Sequence, residues 1–155
     1  MSTENNAYEL SVTRHINGPP ELVWQLMTER LAEWWCPKPW RVEIIEQQWH
    51  AGGRTAVVMH GPEGEKFPVE GIFLEVTPGR RFVFTDAVNS QWQPQQAFMI
   101  GLFEIAPQEG GTRYTASARH WSEEARQQHL EMGFEEGWSA VAEQLAQLAE
   151  QEATP

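Results

Sequence analysis

Three tryptophans and two prolines stand within one short run of this chain, Trp34-Trp35-Cys36-Pro37-Lys38-Pro39-Trp40. Proline fixes φ and stiffens such a segment. An indole ring is a rigid apolar wall that buries on the order of 150–250 Å². Residues of this type at this spacing suit the binding of a flat or greasy small molecule; the alternative is closure of a core. The histidines form a second set: His120 and His129 stand nine apart, and His60 lies at a hairpin. Two imidazoles can form an acid–base couple or bind a metal. Neither HxH nor HxxxH spacing occurs and no cysteine cluster supports them, so no metal site is expected. Asp86 follows the apolar run Phe82-Val83-Phe84-Thr85. A carboxylate at a strand end beside an apolar space would have a raised pKa and could act as a base; capping a loop is the alternative. Arg54 and Arg119 are candidate anchors for an acidic ligand group. Cys36, the one cysteine, reads as inert packing. No phosphate-cradling glycine loop, GxSxG or HExxH motif is present. No cofactor is expected, and no catalytic residue is assigned.

The elements that must position these residues follow from periodicity. Leu130, Phe134, Trp138, Val141, Leu145 and Leu148 step by three or four, one face of a helix over about 123–151. Ser122 precedes it as an N-cap, with Glu123 and Glu124 where the helix dipole favours negative charge. Gly133 and Gly137 fall inside that pattern. Each costs about 1 kcal/mol relative to alanine, which points to a close approach or to room for a ligand. Upstream, a strand over 8–16 leads to the turn Asn17-Gly18-Pro19-Pro20, then to a short helix over 21–27 and a second short helix or turn over 28–35. Six strands follow, over about 41–48, 54–60, 65–77, 80–86, 95–106 and 112–120, separated by turn signals, with a loop over 87–94 carrying Trp92. Hairpin turns imply antiparallel pairing. The class is α+β: a curved antiparallel sheet of about six to seven strands around a long C-terminal helix, with two short helices after the first strand.

The bulk properties narrow the function. A chain of 155 residues reads as one domain, here 8–150, with flexible tails at 1–7 and 151–155. The net charge is −11, which disfavours a phosphate backbone or an anionic membrane surface, so nucleic acid is excluded as a partner. No apolar run is long enough to span a membrane, and no signal stretch opens the chain. One cysteine forbids an internal disulfide and fits a cytoplasmic location. Eight tryptophans are many for this length, and Trp24, Trp34, Trp35, Trp40 and Trp49 share one window, which suits the lining of a cavity or simple packing.

Several stretches, in order, carry a resemblance. They are Ile16 to Trp24, Trp34 to Trp40, Gly52-Gly53-Arg54, Gly71 to Pro78, Phe82 to Asp86, and His120-Trp121 through Met132 to Trp138. Together they resemble the START/SRPBCC (Bet v 1-like) superfamily. More narrowly, they are similar to the activator of heat-shock-protein-90 ATPase homologue family, also labelled polyketide-cyclase-like. The resemblance covers about 8–148 and implies the helix-grip fold, with the aromatic loop at a cavity mouth. It implies a small hydrophobic ligand, of lipid, polyketide or aromatic type, between sheet and C-terminal helix. Trp34, Trp35, Trp40, Phe84, Trp92, Met99, His120, Met132 and Trp138 are the candidate ligand-binding residues. A fold shared by carriers, receptors, cyclases and co-chaperones does not name one activity. A cyclase or hydrolase using His120 or Asp86, and a chaperone-associated interaction module, stand as alternatives. The eukaryotic co-chaperone has a separate N-terminal domain with no counterpart here, so a chaperone partner is not implied. A homodimer is left open.

Overall fold

The structure, a computed structural model, describes residues 8–153; the tail read at 1–7 lies outside the described residues. Seven strands form one sheet: β1 (Glu9–Ile16), β2 (Arg41–Gln47), β3 (Arg54–His60), β4 (Lys66–Thr77), β5 (Arg81–Thr85), β6 (Ile100–Gln108) and β7 (Gly111–Arg119). Their order is β1-β7-β6-β5-β4-β3-β2, and every neighbouring pair is antiparallel. Consecutive hairpins build most of it, because a Gly-containing turn reverses the chain after β3, β4 and β6. Only β1 travels, to pair with β7 along its whole length from Glu9↔Arg119 to Ile16↔Thr112.

Side chains alternate across a strand, and the inner face is apolar and rich in rings. Cross-strand partners there include Phe73↔Phe84 and Phe82↔Phe103. Gly101 stands opposite Phe84, and a Cβ on it would come 2.5 Å from the Phe84 ring, so only glycine lets that ring lie flat on β6. Register shifts at Ile44/Glu46 and Phe73/Glu75 mark bulges, which bend strands and help an open sheet to curl.

The helices fill the concave side. α1 (Pro20–Glu29) starts with proline at a position that needs no N–H donor, and a 3-10 turn (Leu31–Glu33) follows. α2 (Glu123–Glu131) is capped by Ser122, whose hydroxyl accepts from the Ala125 N–H at 3.1 Å. α3 (Phe134–Ala153) is the long element, and buries Phe134, Val141, Ala142, Leu145, Ala146 and Ala149. The main core joins Val141, Ala142, Leu145, Ala146 and Ala149 to Ile16, Val23, Leu26, Met27, Trp34, Phe82, Phe103 and Tyr114, while Phe134 packs with Leu10 and Ala118. This is the α+β helix-grip arrangement.

Several boundaries differ from the sequence reading, among them the short helix read over 21–27, which runs Pro20–Glu29, and the second one read over 28–35, which is the 3-10 turn Leu31–Glu33. The single helix expected over 123–151 is two. Gly133 takes φ +95, a left-handed conformation that closes α2, and α3 restarts with the Gly137 N–H on the Gly133 carbonyl. Side-chain periodicity runs through this break, so it cannot reveal it. The strand expected over 95–106 begins at Ile100 and runs to Gln108. The Phe98 and Met99 N–H groups go to Asp86 Oδ1, and the Gln95 amide donates to the carbonyls of Glu70 and Asp86. Side chains have thus replaced the sheet ladder there. Finally, α3 continues to Ala153, and Glu152 meets Arg30 at 3.1 Å.

Candidate functional site

Between the inner sheet face and the start of α3 lies a cavity of about 400 Å³. β3 supplies Thr55, Val57 and Met59; β4 supplies Val69, Gly71 and Phe73; β5 supplies Phe82 and Phe84. These are every second residue, as the pleat requires; Glu70 of β4 also borders the cavity, outside that alternation. Opposite them stand Met132, Gly133, Phe134, Gly137, Trp138 and Val141, with Trp35 and Pro37 from the aromatic loop and Trp49 from the β2–β3 connection. The rings form a connected wall. Trp49 lies 5.0 Å from Phe82, Phe82 5.1 Å from Phe103, Phe103 5.6 Å from Trp138, and Trp138 4.5 Å from Phe134. Offset and edge-on ring pairs add about 0.5–1.5 kcal/mol each beyond area burial.

Of the nine expected wall residues, Trp35, Phe84, Met99, Met132 and Trp138 line the cavity. Met132 stands at its rim, 66% exposed. The other four lie elsewhere. Trp34 is fully buried, donating its indole N–H to the Leu26 carbonyl at 3.1 Å and packing edge-on against Tyr114. That hydrogen bond turns it into the core beneath α1, while its neighbour Trp35 faces the cavity. Trp40 leans on Phe67 at 5.8 Å, beside a separate polar depression. Trp92 is 68% exposed at φ 64, on a turn whose N–H groups bond Asn89. A tryptophan in the left-handed region is strained. His120 is buried one layer behind the wall.

The histidine pair shows why. The His120 Nδ1 lies 2.8 Å from the Tyr8 carbonyl, which can only accept, so this nitrogen carries a proton. His120 Nε2 then meets His129 Nδ1 at 2.8 Å. With both rings neutral, His129 Nδ1–H donates, and His129 Nε2 keeps a free lone pair. His129 is the member that lines the cavity, against Phe98 at 4.6 Å. Burial first, and then the charge of His120, push its pKa down to about 4, so the ring is neutral near pH 7.

The remaining candidates have structural partners. Asp86 lines the cavity, but its Oδ1 accepts from Phe98 and Met99 N–H at 2.9 and 3.3 Å. Arg54 pairs with Glu46 and Glu70, Arg119 with Glu9, and His60 with Glu43. Burial raises the Cys36 thiol to about 11, which keeps it protonated and unreactive. Among the described residues, no group of three or more His, Cys, Asp or Glu is placed to hold a metal ion, and no helix is long and apolar enough to cross a membrane.

Sequence reasoning placed Trp49 in the tryptophan window suited to a cavity wall, but did not single out Gln47, Phe73, Phe82, Phe103, Tyr114 or His129 as lining residues. For the phenylalanines the signal was present: alternation places Phe82 with Phe84 on one face. Alternation likewise puts Tyr114 with Ala116 and Ala118 on the buried face; for Gln47 no local signal exists.

The model of the family described as Activator of Hsp90 ATPase homolog 1-like protein matches residues 17–150. The chain belongs to this family. Among solved structures, a Nitrosomonas europaea protein is 39% identical, covers 96% of this chain and 98% of its own, and superposes with a TM-score of 0.87. A Mycobacterium smegmatis protein is 27% identical over 91% of this chain and 90% of its own, with a TM-score of 0.76. An Arthrobacter aurescens protein is 25% identical over 97% and 91%, with a TM-score of 0.81. No protein of curated function matches the chain. Membership in the family, with its SRPBCC-like helix-grip fold, therefore carries no specific ligand with it.

Proposed function

We propose that this family member binds a small hydrophobic ligand in the space between the sheet and α3. The observation that carries this reading is the cavity of about 400 Å³ walled by Trp35, Trp49, Phe82, Phe103 and Trp138. That volume lies in the range of roughly 300–1,000 Å³ common for small-molecule sites, which are mostly apolar with a few placed polar groups. Gly137 supports it. Within α3 a glycine is unfavourable, and here its missing side chain leaves room at the wall. A thermal-shift panel of neutral aromatics, polyketide-like phenols and lipids tests the reading. At least one class should raise the melting temperature and, in calorimetry, bind with a negative heat-capacity change. Stabilisation by no member of the panel would remove the proposal.

A second reading, acid–base catalysis, is favoured by one atom. His129 Nε2 has no hydrogen-bond partner among the described residues, and the residue lines the cavity. The sequence reading pairs the two histidines as a candidate acid–base couple and names His120 for the enzyme alternative; the one that lines the cavity is His129. Turnover of a bound ligand that is lost in His129→Gln with binding retained would establish it; unchanged turnover would exclude it.

A further inference from the structure

The two edges of the sheet are not alike. β1 is covered. α3 reaches it through Arg14 and Glu143 at 2.9 Å and through Asn17, whose N–H and amide donate to Glu150, while Arg126 of α2 donates to the Glu9 carbonyl. β2, at the other end of the order, has β3 on one side only. Among the described residues, no hydrogen bond outside the β2–β3 ladder reaches the backbone of Arg41–Gln47. The outward N–H and C=O groups of this strand therefore lack a protein partner. The 3-10 turn Leu31–Glu33 lies alongside but bonds none of them, and a polar depression of about 590 Å³ opens beside Trp40 and Arg41. Such a row of backbone groups is a template for a further strand.

The residues on this edge say what would pair there. Edge strands are commonly blunted by lysine, proline or inward-pointing charge. The inner face of β2 has none of these: Val42 and Ile44 stand there, opposite Met59 and Val57. Ile44 is 39% exposed and Ile45 51%. A bulge interrupts β2 only beyond Ile44, so the strand up to that point keeps a regular register. The run Trp40-Arg41-Val42-Glu43-Ile44 is its own complement about Val42. Laid antiparallel on a copy of itself, with Val42 against Val42, it sets Arg41 against Glu43 twice and Trp40 against Ile44 twice. Opposite charges and aromatic–β-branched pairs are favourable cross-strand partners. A register centred on Glu43 would oppose two like charges, and one centred on Ile44 would leave Arg41 facing Gln47. The Arg41 guanidinium makes no hydrogen bond or ion pair among the described residues, although it feels Glu43 two places along its own strand.

We infer that the β2 edge is a self-association surface, on which a second copy of this chain pairs its own β2 antiparallel about a two-fold axis at Val42. This surface is independent of the cavity and of any ligand there. The two sheets run on as one through the paired edges. Because β1 is covered, the contact is isologous and closes at two copies instead of growing into a fibre. The paired stretch is short, and each chain carries a net charge of −11, so the dimer is weak and forms only as concentration rises. The two Arg41–Glu43 contacts offset that repulsion locally and fix the register.

Sedimentation velocity over about 5 to about 500 µM protein tests the pairing, in about 0.15 M salt, where charges more than about 8 Å apart are largely screened. The wild type should pass from the mass of one 17.8 kDa chain towards twice that mass as concentration rises. Arg41→Glu and Glu43→Arg should each weaken association by more than about tenfold, because each opposes like charges at both ends of the pairing. Mixed in equal amounts, the two variants should associate again, since each supplies the charge that the other lacks. Both positions are exposed, and circular dichroism should show each variant folded. A loss of folding would not be repaired by mixing. A wild type that stays monomeric over the whole range would overturn the inference. So would a dimer that survives either substitution, which would place the contact elsewhere, or a mixture that stays as monomeric as its parts.

Discussion

The two halves of α3 do different work with the same helical geometry. From Val141 onward the inner face is Val141, Ala142, Leu145, Ala146 and Ala149, all buried. Small residues let α1 and the sheet come close; the Ala149 Cβ lies 3.7 Å from where a side chain on Gly18 would begin. Before Val141 the same face carries Phe134, Gly137 and Trp138, and here the helix borders the cavity. Alanine and leucine fill their volume completely. Phe134 and Trp138 instead pack on each other at 4.5 Å as a rigid wall, and Gly137 beside them adds no side chain to fill the space they border. The packed half anchors the helix, and the open half is held off the sheet by its own side chains.

The largest effect that would test this contrast lies in the packed half. Leu145 is fully buried, so Leu145→Ala should cost about 2–5 kcal/mol in chemical denaturation, from lost transfer energy and the hole left behind. Binding of a stabilising member of the thermal-shift panel should persist in the folded fraction. Loss of binding at full folding would mean that the two halves are not separate.

Next is pH, acting beside the open half. The folded pKa of His129 lies near 4, below the ordinary imidazole value of 6.5. Above pH 6.5 both folded and unfolded forms are neutral, and the protein keeps its full stability. As pH falls through 6.5 the unfolded chain takes a proton that the folded state refuses, so stability is lost down to about pH 4. From pH 7 to pH 5 this amounts to about 2 kcal/mol. Urea midpoints at the two pH values should show it, and His129→Leu should flatten the difference. A wild-type midpoint that does not fall over this range would show that burial of the ring is not the controlling feature.

The two glycines give smaller effects of opposite sign. Gly133 has φ +95, where an L side chain is strained, so Gly133→Ala should destabilise by about 1–2 kcal/mol. Gly137 is helical, and a Cβ there would meet only Pro37 at 3.9 Å, ordinary contact. Gly137→Ala should therefore stabilise by about 0.5–1 kcal/mol while adding a methyl group to the cavity wall. If both substitutions destabilise, space at Gly137 is set by packing and not left for a ligand.

Much of the fold was legible in the residues. Short apolar runs in Arg54–His60 and Arg81–Thr85, alternation in Gly111–Arg119, turns at glycine and proline, and the three-and-four spacing from Leu130 to Leu148 are local patterns. Each reflects one element burying one face. The break at Gly133 was less legible, because the apolar stripe continues across it and only the backbone angle ends α2. The start of β6 was missed because Asp86, distant in sequence, takes the N–H groups that a strand would use.

The cavity divides along the same line. That aromatic residues gather near positions 34–49 and along alternate strand positions is written in the chain itself. Which of two adjacent tryptophans packs and which faces open space is not. Trp34 turns inward because its N–H finds the Leu26 carbonyl, an acceptor that exists only once α1 has docked. Sequence sets the periodicity, because helix and strand geometry are local. Curvature of the sheet, and the distance at which α3 crosses it, are sums over the whole molecule, and they alone decide that residues as far apart in sequence as Gln47 and Tyr114 border one cavity.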